Sequence, residues 1–224
     1  MKKYSWFLFD LDGTLLDSIG DITSALNHAL SVLNAKKKIT DENTKSFIGS
    51  GAKVLIKRTM DYVGLSEEYV EEFSKTYFEY YSKNLNIKTK PYPYVMEVLQ
   101  KLKDSNIKLG VLSNKPHHDT LSCVETFFPN TFDYVSGQKM GVKPKPYNEI
   151  FELFKKVNKV DEKEILYIGD MKIDAEFAKN INVDLCLVTF GFGKDLELLN
   201  PKYLINDYKE MIGEDFYEKT IRSN

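Results

Sequence analysis

Apolar residues recur along this chain in two rhythms. Residues 4–9 form a short, largely aromatic and apolar run that stops at Asp10-Leu11-Asp12-Gly13-Thr14. A short run closed by turn residues predicts a buried strand. From Ser18 to about Tyr81 the rhythm becomes helical: Ile22, Ala25, Leu26, Ala29, Leu30 and Leu33 lie three and four apart, and Val54, Leu55, Arg58 and Tyr62 continue the pattern. Val70, Phe73, Tyr77 and Tyr80-Tyr81 extend it, and the Pro-punctuated Lys88-Thr89-Lys90-Pro91-Tyr92-Pro93 closes it. Beyond that point strands and helices alternate. Helices are expected over 95–103, 120–127, 148–157 and 175–180, and strands over 107–112, 132–135, 165–168, 185–188 and 203–205. Such alternation predicts an α/β fold, a Rossmann-like parallel sheet with helices on both faces. The first strand belongs to the same sheet, so the chain divides into an α/β core (1–17 and 89–224) and an inserted all-helical cap (18–88).

Composition narrows the function classes. The chain has 224 residues, is 42% hydrophobic, and carries 31 Lys+Arg against 33 Asp+Glu, a formal net charge of −2. That balance suits a globular protein with a sizeable core. Near-neutral charge without blocks of like sign excludes a broadly basic nucleic-acid or anionic-membrane binder. Cys123 and Cys186 are far apart and match no metal or redox spacing, so a reducing, cytoplasmic setting is expected. Met1-Lys2-Lys3 and the run behind it superficially resemble a secretory leader. Asp10 and Asp12 end the run after about six residues, too short for a leader or a membrane span.

Open parallel sheets bind ligands beyond the carboxyl ends of their strands, and the polar clusters of this chain fall there. Asp10 and Asp12, two apart at a strand end, point the same way and repel unless a cation lies between them or one is protonated. Gly13 permits the turn that follows and Thr14 offers a hydroxyl. Asp170 ends another apolar run, and Asp174 lies one turn on at a helix start, where a carboxylate also serves as a cap. Together the four aspartates form an oxygen-rich set suited to a hard cation such as Mg2+. Ser113-Asn114-Lys115 is either an anion cradle or a helix cap. Lys143-Pro144-Lys145-Pro146 holds two cations on a stiff backbone. His28, His117-His118, Lys36-Lys37-Lys38 and the aromatic stretch from Tyr69 to Tyr81 read as packed or solvated positions rather than chemistry.

These residues resemble a known family. Asp10-Leu11-Asp12-Gly13-Thr14-Leu15-Leu16-Asp17-Ser18 is similar to the first motif of the haloacid dehalogenase superfamily, and Ser113-Asn114-Lys115-Pro116 to the second. Lys143-Pro144-Lys145-Pro146 resembles the third, with Lys143 at the catalytic position and Lys145 at a variable one. Gly169-Asp170-Met171-Lys172-Ile173-Asp174 resembles the fourth. Within that superfamily the chain looks most like the phosphoglycolate phosphatases with a small helical cap, and Phe47-Ile48-Gly49-Ser50-Gly51-Ala52 through Arg58 resembles their cap loop. Tyr94 and Asn182 depart from that pattern, where glycine is usual. The resemblance implies a magnesium-dependent phosphomonoester hydrolase, a monomer or homodimer, acting on a small phosphorylated metabolite. Asp10 would be the nucleophile, Asp12 the general acid and base, and Lys143 the phosphoryl-holding cation. Ser113, Asn114, Thr14, Gly49, Ser50, Gly51 and Arg58 would bind substrate. Asp10, Asp170 and the backbone carbonyl of Asp12 would hold the metal, with Asp174 binding it directly or through water. A β-phosphoglucomutase-like transferase, or a pyrophosphatase or nucleotidase of the same superfamily, would use the same core residues.

Overall fold

The computed structural model describes residues 4–220, so Met1-Lys2-Lys3 and the last four residues lie outside it. In chain order it contains β1 (Trp6–Phe9), β2 (Leu16–Asp17), α1 (Ile19–Val32), α2 (Asp41–Phe47), α3 (Ala52–Val63), α4 (Val70–Lys83), β3 (Lys90–Pro91) and α5 (Val95–Asp104). There follow β4 (Lys108–Pro116), α6 (His117–Phe127), β5 (Tyr134–Gln138), α7 (Glu149–Val157), β6 (Ile165–Gly169), α8 (Lys172–Asn180) and β7 (Asp184–Val188). The chain closes with β8 (Tyr203–Ile205), α9 (Lys209–Ile212) and α10 (Glu214–Thr220).

Six of these strands form one parallel sheet in the order β5-β4-β1-β6-β7-β8. Strand side chains alternate between faces, and the sheet separates two apolar clusters accordingly. Phe7, Phe9, Val111 and Ile168 lie in one cluster, while Trp6, Leu8, Leu112 and Tyr167 lie in the other. All four residues of β1 are buried, which is why the strand reads as continuous apolar sequence. A third cluster, Ile22 and Leu26 with Leu55, Phe73 and Tyr77, forms among α1, α3 and α4. The helical rhythm of this segment thus builds its own core.

Two features differ from the sequence reading. β4 runs on to Pro116 through a register shift against β5, so Ser113, Asn114 and Lys115 are strand residues, not a loop before a helix. The chain also crosses between sheet and helical segment through a two-stranded antiparallel ribbon, β2 with β3. At two residues each, these strands are too short to show a period. Tyr94 and Asn182 both adopt left-handed backbone, φ 63° and 56°. The turns are therefore glycine-like ones occupied by other residues, and Asn tolerates that region better than Tyr does.

Asp21, in the first turn of α1, ties the two crossings together. One oxygen accepts the Lys88 N–H (2.9 Å), and the other accepts the Thr89 N–H (3.0 Å) and hydroxyl (2.6 Å). Asp21 is buried, so truncating it strands three donors away from water. Asp21→Ala is expected to cost about 3 kcal/mol, a fall in Tm of roughly 6–12 °C for a chain this size. A calorimetric shift below about 2 °C would mean water replaces the carboxylate.

Candidate active site

The carboxyl end of β1 lies where the two halves of the sheet, β4-β5 and β6-β7-β8, meet. Asp10 stands there, its N–H donated to the Ile168 carbonyl at 2.9 Å. β4 and β6 flank β1, so Ser113–Lys115 and Asp170 arrive on either side of Asp10. Carboxylate oxygens of Asp10, Asp170 and Asp174 all lie within 4.8 Å of one another.

One lysine neutralises part of this charge, and it is Lys145. Its ammonium donates to Asp174 Oδ1 (2.8 Å) and to the Tyr167 hydroxyl (2.8 Å), and sits 3.0 Å from Asp10 Oδ1. The Lys145 side chain is 1% exposed. Lys143, expected in this place, is 64% exposed and lies 3.8 Å from Glu149. Asn114 decides between them: its Oδ1 accepts the Lys145 N–H (2.7 Å) and its Nδ2 donates to the Lys145 carbonyl (3.0 Å). Clamped at both backbone groups, Lys145 faces the carboxylates, while Lys143 turns outward.

Asp170 and Asp174 are held just as closely. Asp170 accepts from the Thr14 hydroxyl (3.0 Å) and the Phe192 N–H (2.7 Å). Asp174 Oδ1 also accepts from Tyr167, and Oδ2 accepts the N–H groups of Asp170 and Met171. Gly13 (φ +87°) and Gly191 close the cradle, since a Cβ at either position would collide with the Asp170 side chain. Asp10 differs: its buried Oδ1 meets the Lys145 ammonium at 3.0 Å. Burial lifts the Asp10 pKa to about 6, against the pull of Lys145. Burial, with the charges of Asp174 and Asp10, raises Asp170 well above the usual carboxylate range. Burial opposes the Lys145 charge too, but Asp10 and Asp174 outweigh it and its pKa is raised. Three carboxylates against one ammonium leave a balance of −2. An all-oxygen donor set with that formal balance fits a hard divalent cation.

Asp12 also lines the cavity but belongs to a different cation. Its Oδ1 accepts from the Ser18 hydroxyl (2.6 Å), and Lys115 Nζ lies 3.1 and 3.2 Å from its two oxygens. The two aspartates of the first motif thus escape repulsion through two separate lysines. Lys115 is buried and donates to the Tyr81 hydroxyl. Burial works against its charge, but Asp12 and Tyr81 prevail and hold its pKa well above the ordinary value.

Above these residues α1, α3, α4 and the loop before α3 cover a cavity of about 60 Å3. Asp10, Asp12, Ser113, Asn114 and Lys115 form its polar floor, and Ile22, Leu55, Tyr77 and Tyr81 its apolar walls. Gly49 and Gly51 line it too, and the Gly49 carbonyl accepts from Asn114 Nδ2 at 3.0 Å. Three expected substrate contacts lie elsewhere. Thr14 is fully buried behind Asp170. Ser50 lines an adjoining groove with Lys53 and Gly141. Arg58 is exposed and donates to the Phe47 carbonyl (2.9 Å), closing the end of α2. Sequence reasoning places Lys115 in the Ser113–Lys115 cluster but does not single out Tyr81 or the Gly191-Phe192 turn. The four-residue step from Tyr77 to Tyr81, and the Gly-Phe-Gly after β7, were the signals available.

Residues 7–188 match the haloacid dehalogenase-like hydrolase family. A curated phosphoglycolate phosphatase of Aquifex aeolicus (strain VF5) is 32% identical over 206 residues, 88% of this chain and 93% of its own. One from Haemophilus influenzae (strain 86-028NP) is 29% identical over 215 residues, 91% of this chain and 95% of its own. The crystal structure of a predicted phosphoglycolate phosphatase from Haemophilus somnus 129pt superposes with a TM-score of 0.88 at 26% identity, covering 95% of this chain and 98% of that one. The chain belongs to the haloacid dehalogenase-like hydrolases and is an enzyme of the phosphatase class. Among the described residues no helix is long and apolar enough to cross a membrane.

Proposed function

We propose that this phosphatase is a magnesium-dependent phosphomonoester hydrolase that works through an aspartyl-phosphate on a small phosphorylated metabolite, with 2-phosphoglycolate the leading candidate. The observation that carries the reading is Asp10: a buried carboxylate paired with the Lys145 ammonium at 3.0 Å, within 4.8 Å of the Asp170 and Asp174 carboxylates, on the floor of a covered cavity. Residues 18–88 would act as the cap over that floor.

Asp10, Asp170 and the Asp12 carbonyl would hold the magnesium, which when bound offsets the negative charge shared by nucleophile and phosphate. The remaining chemistry falls to this chain's side chains. A carboxylate oxygen of Asp10 bonds to phosphorus as the bond to the leaving group breaks. Asp12, one residue past the neighbouring Leu11, gives the leaving oxygen its proton. Water then attacks phosphorus of the acyl phosphate, its proton passing to Asp12, and Asp10 is restored as inorganic phosphate leaves. Lys145 takes the role that the motif assigned to Lys143, holding charge at the phosphoryl oxygens. Asp174, its oxygens already accepting four hydrogen bonds, keeps Lys145 and the Asp170 backbone in place.

Ile22, Leu55, Tyr77 and Tyr81 wall the polar floor, and the groove lined by Ser50, Lys53 and Gly141 adjoins it. The test is phosphate release with Mg2+ from 2-phosphoglycolate, pyrophosphate, nucleotides, hexose phosphates and other small monoesters, with Asp10→Asn as the blank. The blank is expected to be inert and folded, and phosphoglycolate to lead in kcat/KM. Retained activity in Asp10→Asn removes the nucleophile assignment. A lead by pyrophosphate or a nucleotide, or isomerisation of a hexose phosphate without phosphate release, replaces the substrate reading.

A further inference from the structure

Tyr167 puts a phenol where core packing alone asks only for a ring. It is the third residue of β6, paired in register with Leu8 of β1 and Leu185 of β7, so the sheet fixes its backbone on both sides. The ring meets Phe177 edge-on, with centroids 5.2 Å apart, inside the apolar cluster of that sheet face, and the residue is fully buried. Its hydroxyl nevertheless lies among charges. The oxygen accepts from Lys145 Nζ at 2.8 Å, and the O–H donates to Asp174 Oδ1 at 3.1 Å, with the Leu112 carbonyl at 3.4 Å. Burial and the Asp174 charge raise the phenol's pKa well above its ordinary value, so it keeps the proton that it donates.

An ammonium carries three N–H groups, and those of Lys145 meet three acceptors. Asp174 Oδ1 and the Tyr167 oxygen lie at 2.8 Å, and Asp10 Oδ1 at 3.0 Å. Two N–H groups are thereby committed to the protein, and one faces the nucleophile. Asn114 fixes the backbone of the same residue, so a flexible lysine stem is held at both ends. We infer that Tyr167 is a positioning residue: its hydroxyl holds the Lys145 ammonium so that a single N–H serves the reacting oxygens and the Asp10 carboxylate stays free to attack. This rests on the Lys145 role stated under the proposed function. Without the hydroxyl, one N–H of a buried ammonium loses its acceptor. The attraction that remains draws the ammonium onto Asp10 and Asp174, and a carboxylate oxygen holding a second N–H bonds to phosphorus more slowly.

A double-mutant cycle reads this dependence directly. The probe is p-nitrophenyl phosphate with Mg2+, whose leaving group departs as a stable phenolate and so reports on attack by Asp10, with Asp10→Asn as the blank. Tyr167→Phe keeps the ring and removes one oxygen. It is expected to lower kcat/KM by about 10-fold or more in the parent. In a Lys145→Met background the same change is expected to cost less than about twofold, because the ammonium it positions is gone. A merely structural defect lowers the active fraction in both backgrounds alike. Should Tyr167→Phe not fold, Tyr167→p-fluorophenylalanine enters the same cycle with the same expectations, since fluorine fills the place of the hydroxyl but donates nothing and accepts weakly. Equal losses in both backgrounds, or no loss in the parent, overturn this inference while leaving Lys145 standing. Parent-like activity in Lys145→Met alone overturns the Lys145 role, and this inference with it.

Discussion

Lys145→Met is expected to lower kcat/KM by about 1000-fold or more, while Lys143→Met leaves it within about a factor of two. The contrast follows from burial and partners. Lys145 is the ammonium within 3.0 Å of both Asp10 and Asp174, at 1% exposure. Methionine matches its length but leaves three carboxylates facing one another without compensation. The dianionic phosphate then meets that charge in a site sheltered from water, where repulsion is strongest. Lys143 is 64% exposed, and its contact with Glu149 is a surface pair at 3.8 Å, of the kind that contributes about 0–1 kcal/mol. Steady-state kinetics on the two variants side by side decide the matter. Equal losses, or a larger loss at Lys143, would mean that the 143–146 segment swings during turnover and that the resting geometry misleads.

The second large effect is thermal. A divalent cation that binds only the folded chain at about 100 times its Kd adds roughly 2.7 kcal/mol, or about 5–10 °C in Tm for a chain of this size. Asp170→Asn is expected to abolish that increment and also to raise the Tm of the metal-free protein at neutral pH. The sign follows from Asp10 and Asp170. Both carboxyls are raised by burial and by neighbouring charge, Asp10 by that of Asp174 and Asp170 by those of Asp174 and Asp10, and Asp10 moves from its ordinary 3.8 to about 6. A raised pKa means that the folded state holds the proton more tightly than the unfolded chain does. The stability it contributes is fully present below 3.8 and is lost as pH rises through about 6. Without metal the protein should therefore weaken across that window, and the Mg2+ increment should grow across it, because the cation takes over the role of the proton. Removing the Asp170 charge lowers the repulsion at its source. Differential scanning calorimetry with Mg2+ or chelator at pH 4, 5, 6 and 7 tests both arms. A shift that is flat with pH, or undiminished in Asp170→Asn, would place the cation elsewhere.

Most of the fold was legible in the sequence because burial writes itself into composition. β1 is buried on both faces, so 6–9 contain no polar residue. The helical segment packs against itself, so its apolar positions recur at three and four. The acidic residues were legible for a related reason: a carboxylate placed directly after such a strand has no packing role to explain it. What escaped was whatever depends on contacts across long stretches of chain. Ser113–Lys115 reads as an anion cradle or a cap, because nothing local indicates that β4 continues alongside β5. Tyr81 looked like packing and is packing, yet it also lines the cavity, a second role that periodicity cannot express. Thr14 and Arg58 carry suitable groups, but Asp170 and the Phe47 carbonyl already occupy them.

Lys143 and Lys145 mark the boundary most clearly. Residue type and spacing, which are local properties of the chain, put two cations on a stiff segment. Which of the two enters was decided only in three dimensions, by an asparagine 31 residues upstream that bonds both backbone groups of Lys145. In the folded protein one lysine replaces its water with two carboxylates and a phenol, and the other keeps its water. That choice is an energy difference between environments, and the environments exist only once the sheet has brought β1, β4 and β6 side by side.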